Sequence, residues 1–197
     1  SSGTAICGGS AIAAVAPVLR ADDNQMSVSL GTIFILNAIA LFIFPPIGHL
    51  LNMTQEQFGL WAAIAIHDTS SVVGAGAAYG QKALEVATMV KLTRALWIIP
   101  LAFVTTFIFK EKSNKVSIPW FILFFVLAMI ANTYLSIPEN ISGIVWAAKK
   151  GLTVTLFLIG AGLSRQVLKH VGIKPLVQGV MLWIFIGLMS LAVVLYI

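Results

Sequence analysis

Residues 61–80, WAAIAIHDTSSVVGAGAAYG, place a histidine, an acid and three hydroxyls in the middle of an apolar segment. The apolar residues before the histidine predict a helix over 58–66, and the small residues over 72–78 allow close backbone approach. About ten apolar residues on either side are too few to span a bilayer, which needs about 20. The pattern therefore predicts two half-length helices meeting at a polar break at residues 67–71. A surface loop between two short helices is the alternative.

The composition of the whole chain is that of a helical membrane protein. Hydrophobic residues make up 59% of the 197 residues and charged residues 10%, with a mean hydropathy of +0.98, whereas a soluble domain has roughly 25% charged residues. The net charge of +5 lies mostly in short clusters between apolar runs, as expected of cytoplasmic loops rather than of a nucleic-acid-binding surface. We predict an all-α, polytopic transmembrane bundle forming one domain, with the lipid bilayer as a partner and no nucleic acid.

A glycine- and hydroxyl-rich stretch, SSGTAICGGS, occupies residues 1–10. It leads into an apolar run over 11–18, and backbone amides at such a helix start are ready-made donors for an anion. Small residues in membrane helices also mark tight helix packing, which is the alternative. Because hydroxyls and glycines cluster here, we predict the first half of a binding site, formed by Gly3, Thr4, Cys7, Gly8, Gly9 and Ser10.

Long apolar runs predict full spans at residues 26–50, 84–109, 118–135, 141–163 and 175–197. The first ends at Pro45-Pro46 and carries Asn37 at mid-depth, where a single Asn more often bonds another helix than a ligand. Pro100 is expected to kink the second span. Lys149-Lys150 interrupts the fourth, whose first part is therefore expected to lie along the membrane interface.

Two basic residues lie seven to ten residues into the second of these spans. Lys91 and Arg94 are three residues apart and so share one helix face. At that depth they either snorkel to the headgroups or line a pathway through the protein. The sequence leaves both alternatives open.

The positive charges favour one topology for residues 54–80. If the segment enters and leaves on the same face, only Lys82 opposes the other loop cations, which are Arg20, Lys110, Lys112, Lys115, Arg165, Lys169 and Lys174. A crossing segment moves Arg20 to the side of Lys82, so the positive-inside rule favours a re-entrant hairpin by one charge. A similar broken segment lies 65 residues earlier, around Thr4. Paired broken helices predict an inverted-repeat transporter.

Several motifs resemble those of one family of bacterial membrane proteins. They are SGTAICGGSA at residues 2–11, His67-Asp68, Lys91-Leu92-Thr93-Arg94, Ile118-Pro119-Trp120, and GIKPL at residues 172–176. Their order along the whole chain is similar to the C-terminal portion of the sulfate exporter family, conserved inner-membrane proteins that carry this name by inference. The resemblance implies a longer multi-pass transporter in the bacterial inner membrane. The family pattern often has Glu after the histidine, where this chain has Asp68, one methylene shorter.

Together these features predict a transporter of a small anion, sulfate or a related one. The second half of the binding site is expected to contain His67, Thr69, Ser70, Ser71, Lys91 and Arg94. His67 and Asp68 are candidates for proton coupling, because histidine titrates near neutrality and a buried carboxylate can take up a proton. Asp68 could instead cap a helix that begins at Thr69, with Ser71 at the right offset to donate its amide.

Two other classes of function are the alternatives to an anion transporter. In a Na⁺-coupled organic-acid carrier, Asp68, Asn37 and exposed carbonyls would hold the cation. A membrane enzyme using Cys7 or His67 is disfavoured, because a lone cysteine has no neighbouring base to activate it. We therefore expect no enzymatic activity, cofactor or metal, and a homo-oligomer is compatible with the sequence.

Overall fold

The structure is a computed structural model, which describes residues 8–9, 11–12, 16, 21–98, 100–101, 104, 124, 127–128, 130–131, 134, 142–162 and 172–196. The helices defined in this part of the chain are α1 (Asp23–Leu50), α2 (Gln55–Ala65), α3 (Thr69–Tyr79), α4 (Gln81–Ala95), α5 (Ser142–Gly162) and α6 (Ile173–Leu195). All of these elements are helical, as predicted. Most of the predicted span 118–135 and of the stretch 1–10 lies outside the described residues.

Helix α1, with 28 residues, is the longest of these helices. It begins where the carboxylate of Asp22 accepts a hydrogen bond from the backbone N–H of Gln25 at 2.7 Å. It runs through Pro45-Pro46 to Leu50, so the prediction that these prolines end the span is wrong. Membrane helices tolerate proline because neighbouring groups satisfy the carbonyls that proline leaves unpaired.

Helices α2 and α3 form a hairpin with its tip at residues 66–68. At the other end, the hydroxyl of Tyr79 donates to the carbonyl of Met53 at 2.6 Å, and the rings of Phe58 and Tyr79 stack at 3.9 Å. The end of α3 therefore lies beside the start of α2. The polar break is shorter than the predicted 67–71, because Asp68 caps α3 and starts it at Thr69.

Helix α4 packs along both arms of the hairpin. The side-chain oxygen of Gln55 accepts hydrogen bonds from the backbone N–H groups of Lys82 and Ala83, at 2.9 and 3.3 Å. This contact aligns α4 with α2 at an offset of 27 residues. The same offset recurs at Gly59, where a Cβ would lie 2.9 Å from that of Val86. Within the stretch 72–78, for which the sequence predicts close approach, a Cβ on Gly76 would lie 3.0 Å from the Cα of Leu84.

The end of α4 differs from prediction, because the helix stops at Ala95 instead of running on to a kink at Pro100. The N–H groups of Leu96 and Trp97 turn back to the carbonyls of Thr93 and Arg94. A proline clashes with the carbonyl four residues before it, which is that of Leu96. The disturbance therefore falls one turn before the proline. Lys149-Lys150, by contrast, does not interrupt α5, which is continuous.

Helices α1 and α6 enclose the hairpin on one side. The indole N–H of Trp61 donates to the carbonyl of Gly187 at 3.0 Å, and its ring stacks on Phe44 at 4.2 Å. Among the described residues, α1 and α6 are long and apolar enough to cross a membrane, and only 11% of the α6 window is buried. Apolar helices that leave most of their surface exposed are suited to lipid contact. The predicted inverted repeat depends on residues 1–10, and stays a prediction.

Candidate functional site

The tip of the hairpin lies beside the middle of α1. Helices α2 and α3 have 11 residues each, which is about 16 Å at 1.5 Å per residue and about half of a bilayer core. The tip meets Asn37, which lies near the centre of α1. The side-chain oxygen of Asn37 accepts a hydrogen bond from the backbone N–H of His67 at 3.0 Å. The polar break therefore lies about half a membrane thickness from the hairpin base.

Two buried side chains at this contact have unused hydrogen-bonding atoms. His67 is 1% exposed and Asn37 is 2% exposed. Within the described part of the chain, neither ring nitrogen of His67 has a hydrogen-bond partner, and nor does Nδ2 of Asn37. The oxygen of Asn37 must face the N–H of His67, so its amide nitrogen is available as a donor. Buried polar atoms without protein partners are costly, and a water, an ion or a ligand between them would satisfy them.

The first predicted tip reaches the same place. Gly8 has φ +64°, and a Cβ on it would lie 3.2 Å from the carbonyl oxygen of His67 and 3.1 Å from Cγ2 of Ile33. Only glycine adopts such a backbone at little cost while allowing this approach. Gly9 is less confined by the described residues, among which a Cβ there would meet only Cδ2 of Leu30, at an ordinary 3.4 Å. The two glycines are therefore not equivalent.

Asp68 is the N-cap of α3. Its carboxylate oxygen accepts from the backbone N–H of Ser71 at 3.3 Å, the geometry that the capping alternative predicts. Asp68 and Ser71 are buried, whereas Thr69 and Ser70 are half-buried in the first turn. The amides of a first helical turn carry partial positive charge and face the break.

Lys91 and Arg94 take a position that the sequence did not anticipate. The ammonium of Lys91 donates to the carbonyl oxygens of Ile66 at 2.6 Å and Ala63 at 3.4 Å. The guanidinium of Arg94 donates to the carbonyls of Ala63 at 2.8 Å and Ile64 at 3.0 Å. Both cations thus bind the C-terminal end of α2, where helix carbonyls lack intrahelical partners. Lys91 is buried and therefore does not snorkel, whereas a place for the two cations along a pathway stays a prediction.

We call this assembly the tip cluster: Gly8, Asn37, His67, Asp68, Lys91 and Arg94. It combines amide and imidazole donors, a helix N-terminus, a carboxylate and two cations. Lys91 lies within electrostatic range of both His67 and Asp68. Within the described residues, no group of three or more histidine, cysteine and carboxylate side chains could hold a metal ion.

The structure brings together most of the predicted site residues that it describes. Gly8, His67, Asp68, Lys91 and Arg94 meet directly or through one neighbour. From the sequence, Asn37 is expected as a ligand only in the rival Na⁺-coupled carrier and not in the anion site, although its place at the centre of a long apolar helix is a signal. Four predicted residues, Gly3, Thr4, Cys7 and Ser10, lie outside the described residues.

Comparison with known proteins finds a matching family model and relatives that are all named as membrane proteins. The family model described as "Conserved hypothetical protein 698" matches residues 1–179. A UPF0324 membrane protein of Bacteroides thetaiotaomicron is 69% identical, over 100% of this chain and 60% of its own. One from Porphyromonas gingivalis is 60% identical, over 100% of this chain and 61% of its own. No solved structure matches the chain.

The chain thus spans about 60% of the length of these two relatives. They are named as membrane proteins, in agreement with the apolar composition and the exposed apolar helices, and their names state no substrate. The family relationship that the motifs predicted is confirmed: the chain belongs to the family of Conserved hypothetical protein 698 and is a membrane protein.

Proposed function

We propose that the tip cluster is the anion site of a transporter in the bacterial inner membrane. The observation that carries this proposal is the pair of buried side chains at the tip, Asn37 and His67, with unpartnered nitrogen atoms. Nδ2 of Asn37 can only donate, and one imidazole nitrogen of a neutral histidine donates as well. A ligand with several acceptor oxygens would satisfy both groups.

The surrounding charges support an anion over a neutral ligand. The N-terminal turn of α3 contributes a positive dipole end next to His67, and Lys91 and Arg94 add two full charges. Asp68 is the one carboxylate of the tip cluster. Sulfate or a related small oxyanion fits this balance, with proton uptake at Asp68 or His67 as the coupling step.

The half-length helices support a carrier rather than an enzyme. Substrate sites of carriers lie near the bilayer midplane, where discontinuous helices point their ends at the ligand. The hairpin of α2 and α3 matches this pattern if both of its outer ends lie at one membrane face. We therefore propose that residues 54–80 are re-entrant, and not a crossing segment.

This topology predicts which positions are reachable from each side. Single cysteines at Glu56 and Lys82, in a Cys7→Ser background, are expected to react with an impermeant thiol reagent from the same side of the membrane. Both residues are exposed and lie at the base of the hairpin. A cysteine at Gln25, at the far end of α1, serves as the control and is expected to react from the opposite side. Reaction of the Glu56 and Lys82 cysteines from opposite sides would refute the hairpin.

The anion site itself is tested at Asn37. Asn37→Asp keeps an acceptor for the N–H of His67 but replaces the donor nitrogen with a carboxylate oxygen. A hydrogen bond to a charged group contributes about 1.5–3 kcal/mol, so we expect affinity for potassium sulfate to fall at least tenfold. The measurement is calorimetric titration of the full-length protein in detergent, with potassium phosphate and potassium acetate as further probes.

Thr32→Val is the matched control for this experiment. Thr32 is buried in the same helix, and its hydroxyl donates to the carbonyl of Val28 at 2.8 Å. Anion affinity is therefore expected to be unchanged. In the rival Na⁺-coupled carrier, Asn37→Asp would instead strengthen Na⁺ binding, which titration with sodium chloride against choline chloride detects. Tighter Na⁺ binding with unchanged anion affinity would favour that rival.

A further inference from the structure

The C-terminal end of α2 is a cluster of carbonyl oxygens that already holds positive charge. The helix ends at Ala65, and the last intrahelical bond there runs from the N–H of Ile66 to the carbonyl of Ala62. The carbonyls of Ala63, Ile64 and Ile66 bind the side chains of Lys91 and Arg94 instead. Carbonyl oxygens at the broken end of a half-helix are also the ligands that a coupling Na⁺ would use.

Lys91 is fixed in this position by the packing of α4. The offset of 27 residues set by Gln55 and Lys82 places Lys91 level with Ile64. The side chain is 1% exposed, and its ammonium lies 2.6 Å from the carbonyl of Ile66, directly before His67. An ammonium is a compact point charge with three donors, close in size and charge to a monovalent metal ion.

We propose that Lys91 is a built-in cation, which occupies a carbonyl site at the tip that would otherwise take a free monovalent cation. The ammonium neutralises the negative end of α2 and positions the backbone of His67. Ligand binding at the tip then requires no Na⁺. The inference rests on the proposed function in one respect. An anion carrier needs a positive charge at its site to balance the charge of the anion, and Lys91 supplies that charge.

The first test is the cation dependence of the wild-type protein. Its melting temperature in detergent is expected to be the same in sodium, potassium and choline chloride at equal ionic strength. This measurement needs no anion substrate and no variant. A rise specific to Na⁺ or K⁺ would show a free-cation site and overturn the proposal.

The second test empties the site and refills it. Lys91→Ala leaves the buried carbonyl of Ile66 without its charged donor, while Arg94 still binds the carbonyls of Ala63 and Ile64, so the melting temperature is expected to fall by about 5–10 °C. Propylammonium supplies the three carbons and the nitrogen that the variant lacks, and is expected to restore much of the loss by mass action. Propanol, which has the same shape without the charge, is expected to restore little. No rescue, or equal rescue by both compounds, would overturn the proposal.

Lys82→Ala is the matched control, because Lys82 is exposed on the same helix. Neither its melting temperature nor its response to propylammonium is expected to change. If Lys91→Ala cannot be purified, the cation dependence of the wild-type melting temperature still tests the proposal. If propylammonium restores the melting temperature of Lys91→Ala but the wild-type protein binds no anion, the built-in cation is supported and the proposed function is refuted. The failure of one proposal can therefore be distinguished from the failure of the other.

Discussion

Gly8→Ala is expected to weaken anion binding at least tenfold while the protein remains inserted and folded. The native φ of +64° costs an alanine about 1–2 kcal/mol. The new Cβ would also press on the carbonyl of His67 and on Ile33, at 3.2 and 3.1 Å. The backbone N–H of His67 is fixed by its hydrogen bond to Asn37. Relief of the clash therefore moves the unpartnered nitrogens of His67 and Asn37, which are the proposed anion donors. A loss of 1.4 kcal/mol in binding corresponds to tenfold in affinity.

Alanine variants of two other glycines, one next to Gly8 and one distant from it, separate this effect from the general effect of replacing a glycine with alanine. A Cβ at Gly151 on α5 would meet nothing within 4 Å among the described residues, so Gly151→Ala is expected to bind as the wild type does, with stability equal to or slightly above it because alanine is the better helix former. Gly9 has no positive φ, and among the described residues its new Cβ would make one ordinary contact, with Leu30, so Gly9→Ala is expected to cost much less than Gly8→Ala. Titration and thermal unfolding of the three full-length variants provide the measurement. Equal affinities for Gly8→Ala and Gly151→Ala would remove the first tip from the site.

The broken helix could be predicted from the sequence because its signals are local. A run of about ten apolar residues cannot span a bilayer, and an acid followed three residues later by an available amide is a helix start. Both signals are present around Asp68. The length of the break was overestimated, because the hydroxyls of Thr69, Ser70 and Ser71 were read as loop residues although they form the first turn of α3.

The partners of Lys91 and Arg94 could not be predicted in the same way. Their spacing shows that they share a face, but the helix that this face meets is a question of tertiary packing. The answer depends on the contact of Gln55 with Lys82, which sets the offset between α2 and α4. Once that offset is known, equal rise per residue brings Lys91 and Arg94 to the end of α2. Asn37 was underestimated for a similar reason: its contact with His67 spans 30 residues.

Asp68→Asn is expected to retain sulfate binding and to abolish transport driven by a pH gradient. Asn and Asp are nearly equal as N-cap residues, so the bond to the N–H of Ser71 and the start of α3 are expected to survive. The substitution removes only the charge and the exchangeable proton, and thereby mimics the protonated carboxyl group. Binding should then lose its pH dependence, because the site can no longer release that proton.

Asp68→Ala is the informative partner of this variant, because it removes the cap together with the charge. An N-cap of this kind stabilises a protein by about 1 kcal/mol, and α3 has 11 residues with its first turn at the tip. Asp68→Ala is therefore expected to melt at a lower temperature than Asp68→Asn, while both lose pH-driven transport in proteoliposomes. Transport that persists in Asp68→Asn and fails only in Asp68→Ala would mean that Asp68 serves the fold as a cap. His67, whose ring nitrogens have no partner within the described residues, would then be the next candidate for proton coupling.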